Sequence, residues 1–144
     1  EVKTTIRKQH KKVAISSEKQ LDNTGMNNLF LYCITLNLDD NSGQTLPEIV
    51  NDLRDQLSLT PNADLIFNEY LQRTGYLDEH ADYYNKNKYI FKKEYMFKVD
   101  DEFPKIVDPV EGVGDIKYTI VIASCINYDN DIQHSMEVLI ENGN

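Results

Sequence analysis

The sequence predicts a mixed α/β fold, α+β in its segregation, with a mixed sheet flanked by helices. Three observations predict it. The chain opens on Glu1-Val2-Lys3-Thr4-Thr5-Ile6, rich in β-branched residues that suit a pleated, half-buried surface. A long apolar run, Leu29-Phe30-Leu31-Tyr32-Cys33-Ile34-Thr35-Leu36, reads as a central strand covered on both faces. Between Thr45 and Arg73 the apolar residues recur at helical spacing. Strands on either side of a helical block are the pattern of a sheet carrying helices on its faces.

In order, residues 1–6 and 12–16 read as two strands joined by the basic turn Arg7-Lys8-Gln9-His10-Lys11. Val13 and Ile15 alternate with Lys12 and Ala14, as on a half-buried strand. Ser17 is a good N-cap for a short helix over about 17–22, because its hydroxyl accepts from an orphan backbone N–H. Gly25 is the expected stop. After the strand at 28–38 comes a loop, then Thr45 with Pro47 and Glu48, the arrangement of a capping box. Ile49, Val50, Leu53 and Leu57 form that helix's apolar stripe. A second helix follows from Thr60-Pro61 to about Arg73, with Leu65, Ile66, Tyr70 and Leu71 expected inward and Gly75 closing it. Leu77 to Tyr84 adds a short helical turn. Lys88–Val99 reads as a long amphipathic strand, Phe103–Val107 as a short extended piece, and Asp115–Cys125 as another strand. Asp131 is positioned to cap a terminal helix with Ile132, Met136, Leu139 and Ile140 on one face.

A chain of 144 residues fits one domain, 1–144, with a real core. No run of about 18 apolar residues offers a transmembrane helix, and no membrane partner is expected. Cys33 and Cys125 both sit in apolar runs and read as buried, reduced thiols of a cytoplasmic protein. The formal net charge is −9, unevenly spread. Residues 1–20 carry six basic residues (Lys3, Arg7, Lys8, Lys11, Lys12 and Lys19) against Glu1 and Glu18. The rest carries 22 acids against nine bases. A basic patch on an acidic body suits local contact with a polyanion and resists indiscriminate binding. A solvated hairpin tip would show the same lysines.

The opening strand also carries chemistry. Residues two apart on a strand share a face, so Glu1 and Lys3 emerge side by side. A carboxylate suits a hard cation such as Mg²⁺, and a nearby ammonium can position water or offset phosphate charge. Acid-x-Lys is weak evidence by itself, since about two chance matches are expected in such a composition. The chain has Glu1-Val2-Lys3 and also Asp115-Ile116-Lys117. His10, His80 and His134 lack the spacing of a zinc site. Tyr83, Tyr84 and Tyr89 could stack on bases or serve in packing.

An ordered series of segments strengthens the first copy. They are Glu1-Val2-Lys3-Thr4-Thr5, Ala14-Ile15-Ser16-Ser17-Glu18-Lys19-Gln20-Leu21, Leu46-Pro47-Glu48, Gly75-Tyr76-Leu77-Asp78-Glu79-His80-Ala81, Asp101-Glu102-Phe103-Pro104-Lys105-Ile106 and Gly112-Val113-Gly114-Asp115-Ile116-Lys117-Tyr118. Through them the chain resembles the C-terminal part of a bacterial family of PD-(D/E)XK motif proteins, found beside restriction and phage-defence genes. The resemblance implies a restriction-endonuclease-like fold and a Mg²⁺- or Mn²⁺-dependent DNA endonuclease. It implies Glu1 as the metal-binding carboxylate and Lys3 as the water-positioning or charge-stabilising base. Ser17, Glu18 and Gln20 are possible supporting residues. Arg7, Lys8, Lys11 and Lys12 are the expected DNA contacts. The family's first acid is expected upstream of Glu1, so the sheet is expected to be incomplete at its N-terminal side and the fragment alone inactive. The alternative expectation is a non-catalytic module that binds other defence-system proteins through its acidic face.

Overall fold

A computed structural model describes residues 1–6, 12–60, 62–107 and 111–141. The fold is mixed α/β, as expected, and consistent with a PD-(D/E)XK-like fold. The chain divides into two compact units, Glu1–Leu36 with Phe91–Asn144, and Asn37–Ile90.

In the first unit, β1 (Val2–Ile6) runs parallel to β3 (Phe30–Leu38), with Val2 opposite Tyr32, Lys3 opposite Cys33 and Ile6 opposite Leu36. Parallel neighbours need a crossover connection. Here it contains β2 (Lys12–Ile15) and a 3₁₀ turn over Glu18–Leu21. The expected strands at 1–6 and 12–16 form, but their ladders go elsewhere: β2 pairs antiparallel with β6 (Tyr118–Val121), Val13 opposite Ile120. Next to β3 lies β5 (Lys88–Lys98), whose Met96 and Phe97 pair antiparallel with Asn130 and Asp129 of β7 (Asp129–Asn130). Inward residues of β2, β3, β5 and β6 form one core: Val13, Ile15, Leu31, Cys33, Tyr95, Phe97 and Ile120 among them, joined by Leu21 and Phe103. Phe97 stacks on Tyr95 with centroids 5.5 Å apart, and Phe103 meets Tyr128 edge-on at 5.3 Å. Such pairs add to what burial alone supplies.

The second unit begins with a loop and β4 (Gln44–Thr45), antiparallel to the opening residues of β5 through Gln44–Tyr89 and Thr45–Lys88. Gly43 is required there, because a Cβ would lie 2.6 Å from the Asp39 carbonyl oxygen and 2.8 Å from the Tyr89 nitrogen. Thr45 caps α1 (Leu46–Leu57), and the capping box is complete: Glu48 Oε2 accepts from the Thr45 N–H at 2.7 Å. The next helix, α2 (Ala63–Arg73), ends on Gly75 at φ +84°. Tyr76 N–H donates to Leu71 O at 2.9 Å and Gly75 N–H to Gln72 O at 3.0 Å, which closes the last turn as a Schellman motif. Arg54 makes two bonds of 2.9 Å to Asp78, just before α3 (Ala81–Tyr84).

Four expectations need correction. Gly25 sits in a turn at φ +74°, whereas the 3₁₀ helix already ends at Leu21. Strand pairing at 115–125 stops at Val121, and Ile122–Tyr128 winds into a 3₁₀ helix that buries Ile122 and Cys125 three residues apart. The face of α2 expected inward is open: Leu65 is 63 % and Tyr70 59 % exposed. The terminal helix α4 (Ile132–Glu141) has its predicted cap, Asp131 Oδ1 accepting from His134 N–H, yet Ser135 is its buried residue while Met136, Leu139 and Ile140 are exposed.

Candidate active site

Strand periodicity places Glu1 and Lys3 on one face of the β1 strand segment, and the side chains meet: Glu1 Oε1 lies 3.1 Å from Lys3 Nζ. Val2 and Ile6 point to the other face and are exposed. Lys3 stands opposite Cys33, which is fully buried, so the pair sits at the rim of the core. The Lys3 side chain is 17 % exposed and that of Glu1 28 %. Glu1 is fixed at its backbone, its nitrogen donating to Phe30 O and its carbonyl accepting from Tyr32 N–H, each at 2.9 Å.

The crossover brings in a third group. Ser17 caps the 3₁₀ turn, its hydroxyl accepting from Lys19 N–H at 3.2 Å. That turn presents Gln20, whose Oε1 accepts from Lys3 Nζ at 3.2 Å and from Ser16 N–H at 2.9 Å. Lys3 is thus held between a carboxylate and an amide oxygen. An ammonium has three donors. Two are engaged among the described residues, leaving one for a water or a phosphate oxygen.

Glu18 is turned to a different task. It is buried and accepts from Ile116 N–H at 2.9 Å. Backbone hydrogen bonds, at its own N–H first, hold its carboxyl below the usual carboxylate range against the opposing effect of burial. Glu18 therefore braces the 3₁₀ turn against residues 115–117, and Ser17 shapes the turn's entry; neither touches Lys3 through a contact in the described residues. The second acid-x-Lys copy is not on a strand, and its Asp115 has φ +56°. Lys12 is exposed on β2. Arg7, Lys8 and Lys11, with His10, lie outside the described residues.

One feature escaped the sequence reading, and the two cysteines it expected to be buried and reduced are so. Tyr32, on β3, donates its hydroxyl to Glu94 on β5, and partial burial followed by that carboxylate pushes its pKa up to about 12. Burial likewise pushes the Cys33 thiol up to about 12, with Cys125 beside it adding to the effect and Lys3 opposing it. Both cysteines are free and buried. The Tyr32–Glu94 bond and the Glu18 brace to residue 116 had no local signal, since 62 and 98 residues separate their partners.

A hard cation would find one suitable ligand here, the Glu1 carboxylate, with its second oxygen open among the described residues. No cluster of three or more His, Cys, Asp or Glu side chains able to hold a metal occurs among the described residues. The site therefore fits as one arm of a Mg²⁺ centre, an ion that often takes one or two carboxylates plus waters and substrate phosphate.

A carboxylate and a lysine thus stand together on one parallel-paired strand, steadied from the crossover. Residues 1–123 match the family model described as "Putative PD-(D/E)XK family member, (DUF4420)", and the chain belongs to that family. PD-(D/E)XK proteins generally use divalent metals. No curated protein and no solved structure matches the chain. Among the described residues, no helix is long and apolar enough to cross a membrane.

Proposed function

We propose that this chain carries the Glu-x-Lys half of a Mg²⁺- or Mn²⁺-dependent DNA endonuclease site of restriction or phage-defence type. The observation that supports it is the Glu1–Lys3–Gln20 constellation, closed by contacts of 3.1 and 3.2 Å. Glu1 serves as a metal ligand and Lys3 as the group that orients water or offsets charge on the scissile phosphate. Gln20 is a positioning residue that keeps the ammonium from swinging away; Ser17 and Glu18 support it through the turn. The bound ion would act as a Lewis acid on the phosphate. A complete Mg²⁺ centre would take substrate phosphate and a further carboxylate beside Glu1. Lys12, with Arg7, Lys8 and Lys11, supplies contacts to the DNA backbone. The protein works in the cytoplasm, where free thiols such as Cys33 and Cys125 persist.

The test is nicking of supercoiled plasmid by the intact protein in Mg²⁺ or Mn²⁺. Lys3→Ala should lower the rate by about 100-fold or more. Mn²⁺ should broaden NMR signals of Glu1 in the wild type and spare them in Glu1→Gln. Cleavage that survives Lys3→Ala removes the proposal. A second reading, a protein-interaction module of a defence system, draws on the open apolar face of α2 at Leu65, Ile66 and Tyr70. It gains if the intact protein neither nicks DNA nor binds Mn²⁺ at Glu1.

A further inference from the structure

The second unit contains a pocket of about 260 Å³ lined by Leu46, Tyr83, Tyr84, Lys86, Asn87 and Tyr89. We propose that it binds one unpaired nucleobase of single-stranded DNA, with the adjoining phosphate on Lys86. The choice of DNA as the source rests on the function proposed above; the recognition chemistry stands on the pocket itself.

Four observations point to that ligand. First, Tyr83 is 68 % exposed, so most of its aromatic surface is open to solvent. Second, the wall behind it is rigid. Tyr83 meets Tyr84 edge-on at 5.8 Å, and Tyr84 stacks at 5.0 Å on Tyr76, which is buried. Tyr84 is also held by its hydroxyl, which donates to Gly75 O at 3.4 Å and accepts from Leu77 N–H at 3.5 Å. A ring held this way offers stacking at low entropic cost. Third, Lys86 Nζ lies over one face of the Tyr83 ring, 4.7 Å from its centroid, which leaves the other face for a base, and among the described residues no carboxylate pairs with this ammonium. An aromatic face beside an unpaired cation matches a base beside its phosphate. Fourth, Asn87 brings an amide that both donates and accepts, as the edge of a base requires.

Size and charge narrow the ligand. The volume lies under the roughly 300–1,000 Å³ of pockets for drug-sized ligands, which suits one ring system and excludes a base pair. Residues 37–90 carry ten acids against Arg54, Arg73, Lys86 and Lys88. That balance opposes contact along many phosphates and leaves Lys86 at the pocket as the local exception. Binding must then come from stacking more than from charge, and so favour an exposed base over a duplex.

The experiment is fluorescence anisotropy of a labelled oligothymidylate titrated with the full 144-residue chain in EDTA at low salt, so that cleavage plays no part. With nine tyrosines and no tryptophan, quenching of tyrosine emission gives a second readout. Saturable binding is expected. Tyr83→Ala should weaken it by about tenfold or more, the scale of one lost base stack. Tyr83→Phe should restore it, and Lys86→Ala should weaken it and flatten its salt dependence. A duplex of the same length should compete poorly. The proposal is overturned if the wild type does not bind, if Tyr83→Ala binds like wild type, or if duplex competes equally. Binding lost in Lys3→Ala but kept in Tyr83→Ala also overturns it while leaving the nuclease reading intact. Tyr83-dependent binding by a protein that never nicks plasmid would keep the pocket and remove the nuclease reading.

Discussion

The two units of this chain are held by different physics. The first, Glu1–Leu36 with Phe91–Asn144, buries Leu21, Leu31, Cys33, Phe97 and Cys125 to 1 % exposure or less. The second, Asn37–Ile90, buries Val50 and Tyr76 but leaves Leu59 87 % and Leu65 63 % exposed. Its order comes largely from polar devices: the Thr45–Glu48 capping box, the Arg54 fork on Asp78 and the Schellman closure at Gly75. Glu1 and Lys3, the side chains proposed for catalysis, stand on the unit with the buried core. The pocket of the second unit instead borrows rigidity from a local stack of tyrosines.

The sharpest way to test that contrast is Phe97→Ala. Phe97 is 1 % exposed and packs between Tyr95 and Phe103. Its loss should cost about 3–5 kcal/mol, transfer plus cavity, read from urea unfolding. An effect under about 1 kcal/mol would mean the first unit's core collapses freely, against its packing.

Next in size is a response to alkali. Cys33 and Tyr32, both in the first unit, have folded pKa values raised to about 12. The unfolded chain ionises these groups near their ordinary values, about 8.5 for a thiol and about 10 for a phenol. Stability from keeping them neutral is therefore fully present below about pH 8.5 and is lost as pH rises toward 12. Urea midpoints should fall over that window, and Cys33→Ala should shallow the fall. Ellman's reagent should leave both thiols unreacted in the native protein at neutral pH, because the thiolate is the reactive form.

How far the sequence could be read follows from the range of each interaction. Period-two alternation was enough to put Glu1 beside Lys3, and the Thr45-x-x-Glu48 spacing was enough for the capping box. Gly75 marked its helix end by the conformation only glycine adopts freely. Gln20 was visible as a neighbour of the motif in sequence, but its bond to Lys3 depends on how the crossover returns. Alternation of Tyr118, Ile120 and Ile122 continued past the true strand end, and the competing signal was the i, i+3 spacing of Ile122 and Cys125. For α2 the periodicity identified an apolar face correctly; it carried no information on whether anything covers it.

A smaller effect is expected at the cap of α1. Thr45→Ala removes the side chain that accepts from Glu48 N–H, and should cost about 1 kcal/mol in urea unfolding. Thr45→Ser should keep most of the stability, which separates the hydroxyl from the methyl group, since Thr45 is also buried.

The smallest expected effect falls on the open face of α2. Leu65 and Ile66 are 63 % and 50 % exposed, so Leu65→Ser should change stability by no more than about 0.5 kcal/mol. The same chemical loss that is ruinous at Phe97 should be nearly silent here, because the apolar area was never removed from water. A cost above about 2 kcal/mol would show that Leu65 is covered in solution, by another part of the chain or by a second copy. Those two cases separate on dilution: cover from a second copy makes the cost concentration-dependent, and internal cover does not. The contrast between a packed unit and a polar-braced one stands only if the cost stays small at every concentration.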